Sequence, residues 1–173
     1  MTTLYYLHGK DSSSQCFRAN YLREFFPQIV APDLEPDVLK RRSVLDSLIG
    51  DEAVLIGSSL GGMSALDFTG RFPHKVSAMV LLAPAVGFYE AAYRTPEILA
   101  FVDSLVIPPG IPTTVIAALR DEVIPLADIK ALVDRSNGAS IDYHEVDDVH
   151  RLREKAGLDL MIAASQRYMG GQG

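Results

Sequence analysis

The chain has 173 residues, 48% of them apolar and 22% charged, which is the composition of a soluble globular protein large enough to bury a core without metals or disulfides. A single domain over residues 1–173 is expected from that length. Sixteen basic residues stand against 22 acidic ones, and a net charge of −6 argues against nucleic acid as a partner, because phosphate binding needs a concentrated basic face.

Along the chain, short apolar runs alternate with longer segments of helical period. The opening "MTTLYYLHGK" lacks a leader-like apolar stretch and predicts a first strand over Leu4–Leu7, ending at His8-Gly9. A helix follows over Phe17–Phe26, beside Cys16, the only cysteine, which rules out an intrachain disulfide and fits a reducing compartment. Gln28–Ala31 reads as a second short strand, and Asp37–Ile49 as an amphipathic helix with Lys40, Arg41 and Arg42 outside. Ala53–Ile56 is a third strand, Leu60–Arg71 a helix, Val76–Leu82 a fourth strand and Thr113–Ala118 a fifth. Leu126–Arg135 is helical, Ser140–Val146 a sixth strand, and Arg151–Tyr168 the closing helix. Arg151 and Arg153 are read, like the earlier basic cluster, as part of a solvated helix face.

Near-continuous apolar strands separated by helices mark a parallel sheet buried on both faces. The expectation is a doubly wound α/β fold with a mainly parallel six-stranded sheet in the order 2-1-3-4-5-6 and helices on both faces. No apolar run approaches the roughly 20 residues of a membrane span, so no membrane partner and a cytoplasmic location are expected. Residues 84–112 break the rhythm, being longer than an ordinary crossover, and are read as a small lid or one wall of a pocket.

Gly57-Ser58-Ser59-Leu60-Gly61 matches G-x-S-x-G between an apolar strand and a helix. A sharp turn there strains the central residue and lifts its side chain above the sheet, while the flanking positions must be small. Ser59 is therefore the candidate nucleophile, with Ser58 pointing elsewhere. A phosphate-binding loop would need a Lys after the glycines, and none follows.

A serine hydroxyl needs a base, and the base an orienting acid. Of four histidines, His150 lies in a loop after the last strand, on the same sheet edge as Ser59, and is preferred to His144 within that strand. Asp121, directly after the fifth strand, is preferred as acid to Glu122, Asp147 and Asp148, the last two being read as acidic for solvation. The order Ser, Asp, His is that of the α/β-hydrolases. Tetrahedral intermediates also need pre-aimed N–H donors, here the backbone N–H of Leu60 and of Lys10, with Gly9 allowing close approach. "DSSS" after Lys10 also suits a helix cap. His8, Gly9, Phe88, Tyr89 and Val123 are the candidate substrate-contacting residues.

"YLHGKDSSS", "IGSSLGG", "RDEVIP" and "DDVH" together resemble the small YqiA-type esterases over nearly the whole chain. The resemblance implies a minimal α/β-hydrolase fold, Ser59, Asp121 and His150 as triad, and Lys10 and Leu60 as oxyanion donors. Lys10-Asp11 departs from the aromatic and small polar pair usual there and makes the entrance more polar.

The reading is a cofactor-free and metal-free serine hydrolase acting on a small-molecule acyl ester or thioester. A non-catalytic binding protein on a hydrolase scaffold is the alternative, as are a peptidase, a C–C hydrolase or a perhydrolase using the same triad.

Overall fold

The computed structural model describes residues 1–170. Its strands are β1 (Thr3–Leu7), β2 (Ala53–Ser58), β3 (Val76–Leu82), β4 (Thr113–Ala118) and β5 (Ile141–Val146). The helices are α1 (Phe17–Phe25), α2 (Val38–Leu48), α3 (Leu60–Arg71), α4 (Pro96–Ser104), α5 (Leu126–Arg135) and α6 (Lys155–Gly170). All strand pairs are parallel, in the order β1-β2-β3-β4-β5.

The sheet has five strands in place of six. The segment expected as a strand over Gln28–Ala31 touches β1 through one bridge, Val30 to Tyr5, in which Val30 N–H donates to Leu4 O (2.9 Å) and Tyr6 N–H donates to Val30 O (2.9 Å). Pro27 and Pro32 bracket it, and a residue without an N–H cannot extend a ladder, so the pairing stops at one residue.

Alternation along β2 divides the core. Ala53 and Leu55 face a layer that includes Leu45 of α2, Phe68 of α3 and Leu132 of α5. Val54 and Ile56 face the opposite layer, with Leu22 of α1 and Met161 of α6. Each fully buried Leu or Ile in these layers contributes about 1.5–3 kcal/mol of transfer free energy, so the strand register is firmly set.

α2 starts where the Asp37 carboxylate accepts from Leu39 N–H (2.8 Å) and Lys40 N–H (3.3 Å), leaving its N-terminal donors capped. Arg41, expected outside, is fully buried, because its donors find backbone carbonyls under the loop after β1. Residues 84–112 hold a short 3₁₀ turn at Ala91–Tyr93 and then α4, whose cap Thr95 accepts from Ile98 N–H. No helix among the described residues is long and apolar enough to cross a membrane.

Candidate active site

β2 passes into α3 through Ser59, which has φ 53° and ψ −116°. A non-glycine residue at positive φ is strained, and three of the four among the described residues, Ser59, Ala83 and Leu152, lie at this edge of the sheet. Surrounding hydrogen bonds hold Ser59 there: its N–H donates to Leu82 O, and its carbonyl accepts from Gly62 and Ala85, each at 2.9 Å. The turn admits no larger neighbours. A β-carbon on Gly57 would lie 2.5 Å from Gly61 O, and one on Gly61 only 1.8 Å from Leu7 O. A serine at a helix start ordinarily spends its hydroxyl on a cap. Ser59 makes no such cap, and its Oγ instead meets His150 Nε2 at 2.9 Å.

The other two groups complete a hydrogen-bonded series. His150 Nδ1–H donates to Asp121 Oδ2 at 2.9 Å. The second Asp121 oxygen accepts from Val123 N–H and Ile124 N–H, both at 2.8 Å, so the buried carboxylate is fixed from both sides. An ionised carboxylate only accepts, which puts the imidazole proton on Nδ1 and leaves the Nε2 lone pair facing Ser59. Such a series can draw a proton from the hydroxyl.

The His150 loop is built by residues to which the sequence pattern gave other roles, together with Arg18, which it did not single out. Asp148, expected at the surface, is 3% exposed and accepts from Val149 N–H (2.7 Å) and Glu154 N–H (2.8 Å). That turn delays the last helix to Lys155, so Arg151 and Arg153 stand in the loop and line the cleft in place of a helix face. Glu122 accepts the His150 backbone N–H at 3.0 Å. Arg18 of α1, 8% exposed, donates to Ser58 Oγ (2.7 Å) and to the carbonyls of Arg151 and Leu152, joining the residue before Ser59 to the residues after His150. Ser58 also borders the cleft, but its Oγ is engaged by Arg18 and not by His150.

The loop after β1 comes up against Ser59, since a β-carbon on Gly9 would lie 3.6 Å from Ser59 Cβ. His8 is 1% exposed: its Nε2 accepts from Leu34 N–H (2.9 Å) and its Nδ1–H donates to Gly9 O (2.7 Å). Burial, the largest cause, lowers its pKa below 6.5 and keeps the ring neutral, as this double role requires. Leu60 opens α3 directly after Ser59, so its N–H is one of the first-turn donors that have no partner within the helix.

A cleft of about 1300 Å³ runs over Ser59. Gly9, Phe88 and Val123 line it, and α4 supplies Ile98 and Phe101, so part of residues 84–112 forms one wall. Two candidates do not line it. His8 turns inward because both ring nitrogens are engaged by backbone beneath the loop. Tyr89 is 58% exposed, because its backbone N–H is tied to Val123 O (3.1 Å) while the preceding Phe88 takes the inward direction. Lys10 Nζ reaches the Tyr93 hydroxyl across the cleft, linking the β1 loop to that wall.

A family model described as an uncharacterised protein family, UPF0227, matches residues 3–95, more than half of the chain. The chain belongs to the UPF0227 family. The matched part of this UPF0227 chain carries Lys10, Arg18, Arg41 and Ser59 but stops before Asp121 and His150. Solved structures show the fold as that of α/β-hydrolases. Mouse alpha/beta hydrolase domain-containing protein 10 superposes with a TM-score of 0.80 at 19% identity, covering 99% of this chain and 90% of that one. A monoacylglycerol lipase of Paleococcus ferrophilus superposes with 0.76 at 14% identity, covering 96% and 93%. Carboxylesterase CesB of Bacillus subtilis gives 0.67 at 15% identity, covering 99% and 85%.

Proposed function

We propose that this UPF0227 chain is a serine hydrolase of small carboxylic esters or thioesters. The observation that carries the reading is the pair of 2.9 Å contacts joining Ser59, His150 and Asp121. A carboxylesterase and a monoacylglycerol lipase among the proteins sharing its fold support ester chemistry as the class.

In this reading Ser59 Oγ attacks the acyl carbon while its proton passes to His150 Nε2. The carbonyl π bond breaks toward oxygen, and the resulting oxyanion accepts from the backbone N–H groups of Lys10 and Leu60. Asp121 stabilises the imidazolium and keeps its orientation. Collapse of the intermediate expels the alcohol or thiol, which takes the proton from His150, and leaves an acyl-enzyme. Water, deprotonated by His150, then repeats the sequence and frees the acid. The apolar face made by Met63, Phe88, Ile98 and Phe101 receives the acyl chain.

Intact-protein mass after exposure to a fluorophosphonate tests this directly. One adduct is expected on the wild type and none on Ser59→Ala, which also loses at least about 10⁴-fold in kcat on p-nitrophenyl butyrate. No adduct on folded wild-type protein would give the lead to a binding protein on this scaffold.

A further inference from the structure

Arg41 is fully buried, yet among the described residues it forms no ion pair with any carboxylate. Its neighbour Arg42 takes Asp67, and Asp46 goes to Arg71. Burying a charge without a counter-charge is expensive, so the hydrogen bonds it makes must be strong and well placed. All of them go to backbone carbonyls. Nη1–H donates to His8 O at 2.7 Å, Nη2–H to Gly9 O at 3.2 Å, and Nε–H to Glu35 O.

Gly9 O is the informative partner. It accepts from Arg41 and also from His8 Nδ1–H at 2.7 Å, so both lone pairs are engaged on the inner side of the loop. The Gly9–Lys10 peptide is planar and trans, which makes its N–H point opposite to its C=O. Fixing the carbonyl inward therefore fixes the Lys10 N–H on the opposite side of that peptide, in a loop whose Gly9 packs against Ser59. A fork with two parallel donors suits two successive carbonyls, and a lysine ammonium does not reproduce it.

We propose that Arg41 is a positioning residue that sets the Lys10 N–H as an oxyanion donor by clamping the carbonyls of His8 and Gly9. The inference rests on the serine-hydrolase reading for its catalytic consequence, whereas the clamp itself belongs to the loop. Arg41 does not line the cleft. It acts on the tetrahedral oxygen through one peptide plane, so it contributes to the transition state and little to ground-state binding.

The test compares wild type with Arg41→Lys, Arg41→Met and His8→Gln in the full chain. His8→Gln retains an acceptor for Leu34 N–H but loses the ring donor to Gly9 O. Three quantities are read: kcat and KM on p-nitrophenyl butyrate, inhibition by an alkyl trifluoromethyl ketone, and hydrogen exchange of the segment 8–16. The ketone is attacked by Ser59 Oγ, its π electrons become an O⁻, and the serine proton goes to His150, so its affinity reports the oxyanion donors. Arg41→Met is expected to lower kcat on the order of 10²-fold with KM within about twofold, and to weaken the ketone by a similar factor. Arg41→Lys falls between, His8→Gln shows the same pattern more weakly, and exchange in segment 8–16 rises in all three. Ketone affinity unchanged in folded Arg41→Lys and His8→Gln would overturn the proposal. If wild type neither labels nor turns over, the hydrolase reading fails instead, and unchanged exchange in the variants would separately remove the clamp.

Discussion

Asp121 shows how one atom can decide a tautomer. Its Oδ1 holds two backbone N–H groups, so Asp121→Asn will keep its amide oxygen on that side and turn its NH₂ toward His150. An NH₂ cannot accept from Nδ1–H, so the imidazole proton must move to Nε2, where it blocks acceptance from Ser59. A folded variant with kcat reduced by about 10⁴-fold is expected, checked by steady-state kinetics beside a melting curve. His8 makes a different kind of prediction. Its folded pKa is lowered, so the native state resists protonation while the unfolded chain binds a proton near 6.5. The unfolded state then carries more protons below that pH, and stability, full above about 6.5, falls as pH drops toward the folded value and levels beneath it. Urea midpoints between pH 5 and 8 should slope in that direction for wild type and less for His8→Gln; equal slopes would show that His8 is not the responsible group. The meeting of Ser59, Asp121 and His150 was legible in the sequence, because the three follow β2, β4 and β5 by one, three and four residues and parallel strands end at one edge of the sheet. The inward turn of His8 could not, since it depends on Leu34, 26 residues away, needing an acceptor.

Two of the three glycines in helix α3 have opposite meanings. A β-carbon on Gly61 would collide with the backbone of β1 at 1.8 Å, where no side chain can yield, whereas one on Gly70 would meet nothing within 4 Å. Gly61→Ala should therefore destabilise by at least about 1–3 kcal/mol as α3 is forced from β1. Gly70→Ala in the same helix should stabilise by up to about 1 kcal/mol through helix propensity. Urea unfolding of both proteins checks the pair, and the same sign for the two would sink the argument. Elements of this kind were legible where a pattern was complete: the apolar run Val76–Leu82 became β3 with the same bounds. They were not legible where one residue type had two uses. Charge placed Arg41 outside, because sequence periodicity cannot see carbonyls supplied by a loop more than 30 residues upstream. Likewise, the apolar content of Gln28–Ala31 did not register that its flanking prolines leave too few N–H groups for a ladder.

Across the whole molecule, the candidate site is assembled from both sides of the sheet. Arg18 comes from α1 on one face and reaches Ser58 and the His150 loop. Arg41 comes from α2 on the other face and reaches the loop after β1. The strands and the two apolar layers carry most of the global stability, whereas these loops depend on a few charge-assisted hydrogen bonds, each worth about 1.5–3 kcal/mol. The loop after β5 adds Leu152 at φ 46°, a conformation that persists only while its neighbours hold it. Opening that loop breaks the Arg18 contacts and the Asp148 caps but leaves the sheet intact, so its cost is below that of global unfolding. Fluorophosphonate labelling of Ser59 is therefore expected to slow at a lower urea concentration than the far-UV circular-dichroism transition. Arg18→Met removes the link between Ser58 and the His150 loop and should widen the interval between the two midpoints. Coincident midpoints in both proteins would mean instead that the loop and the sheet unfold as one unit, with the arginine contributing to the core and not to a separable site.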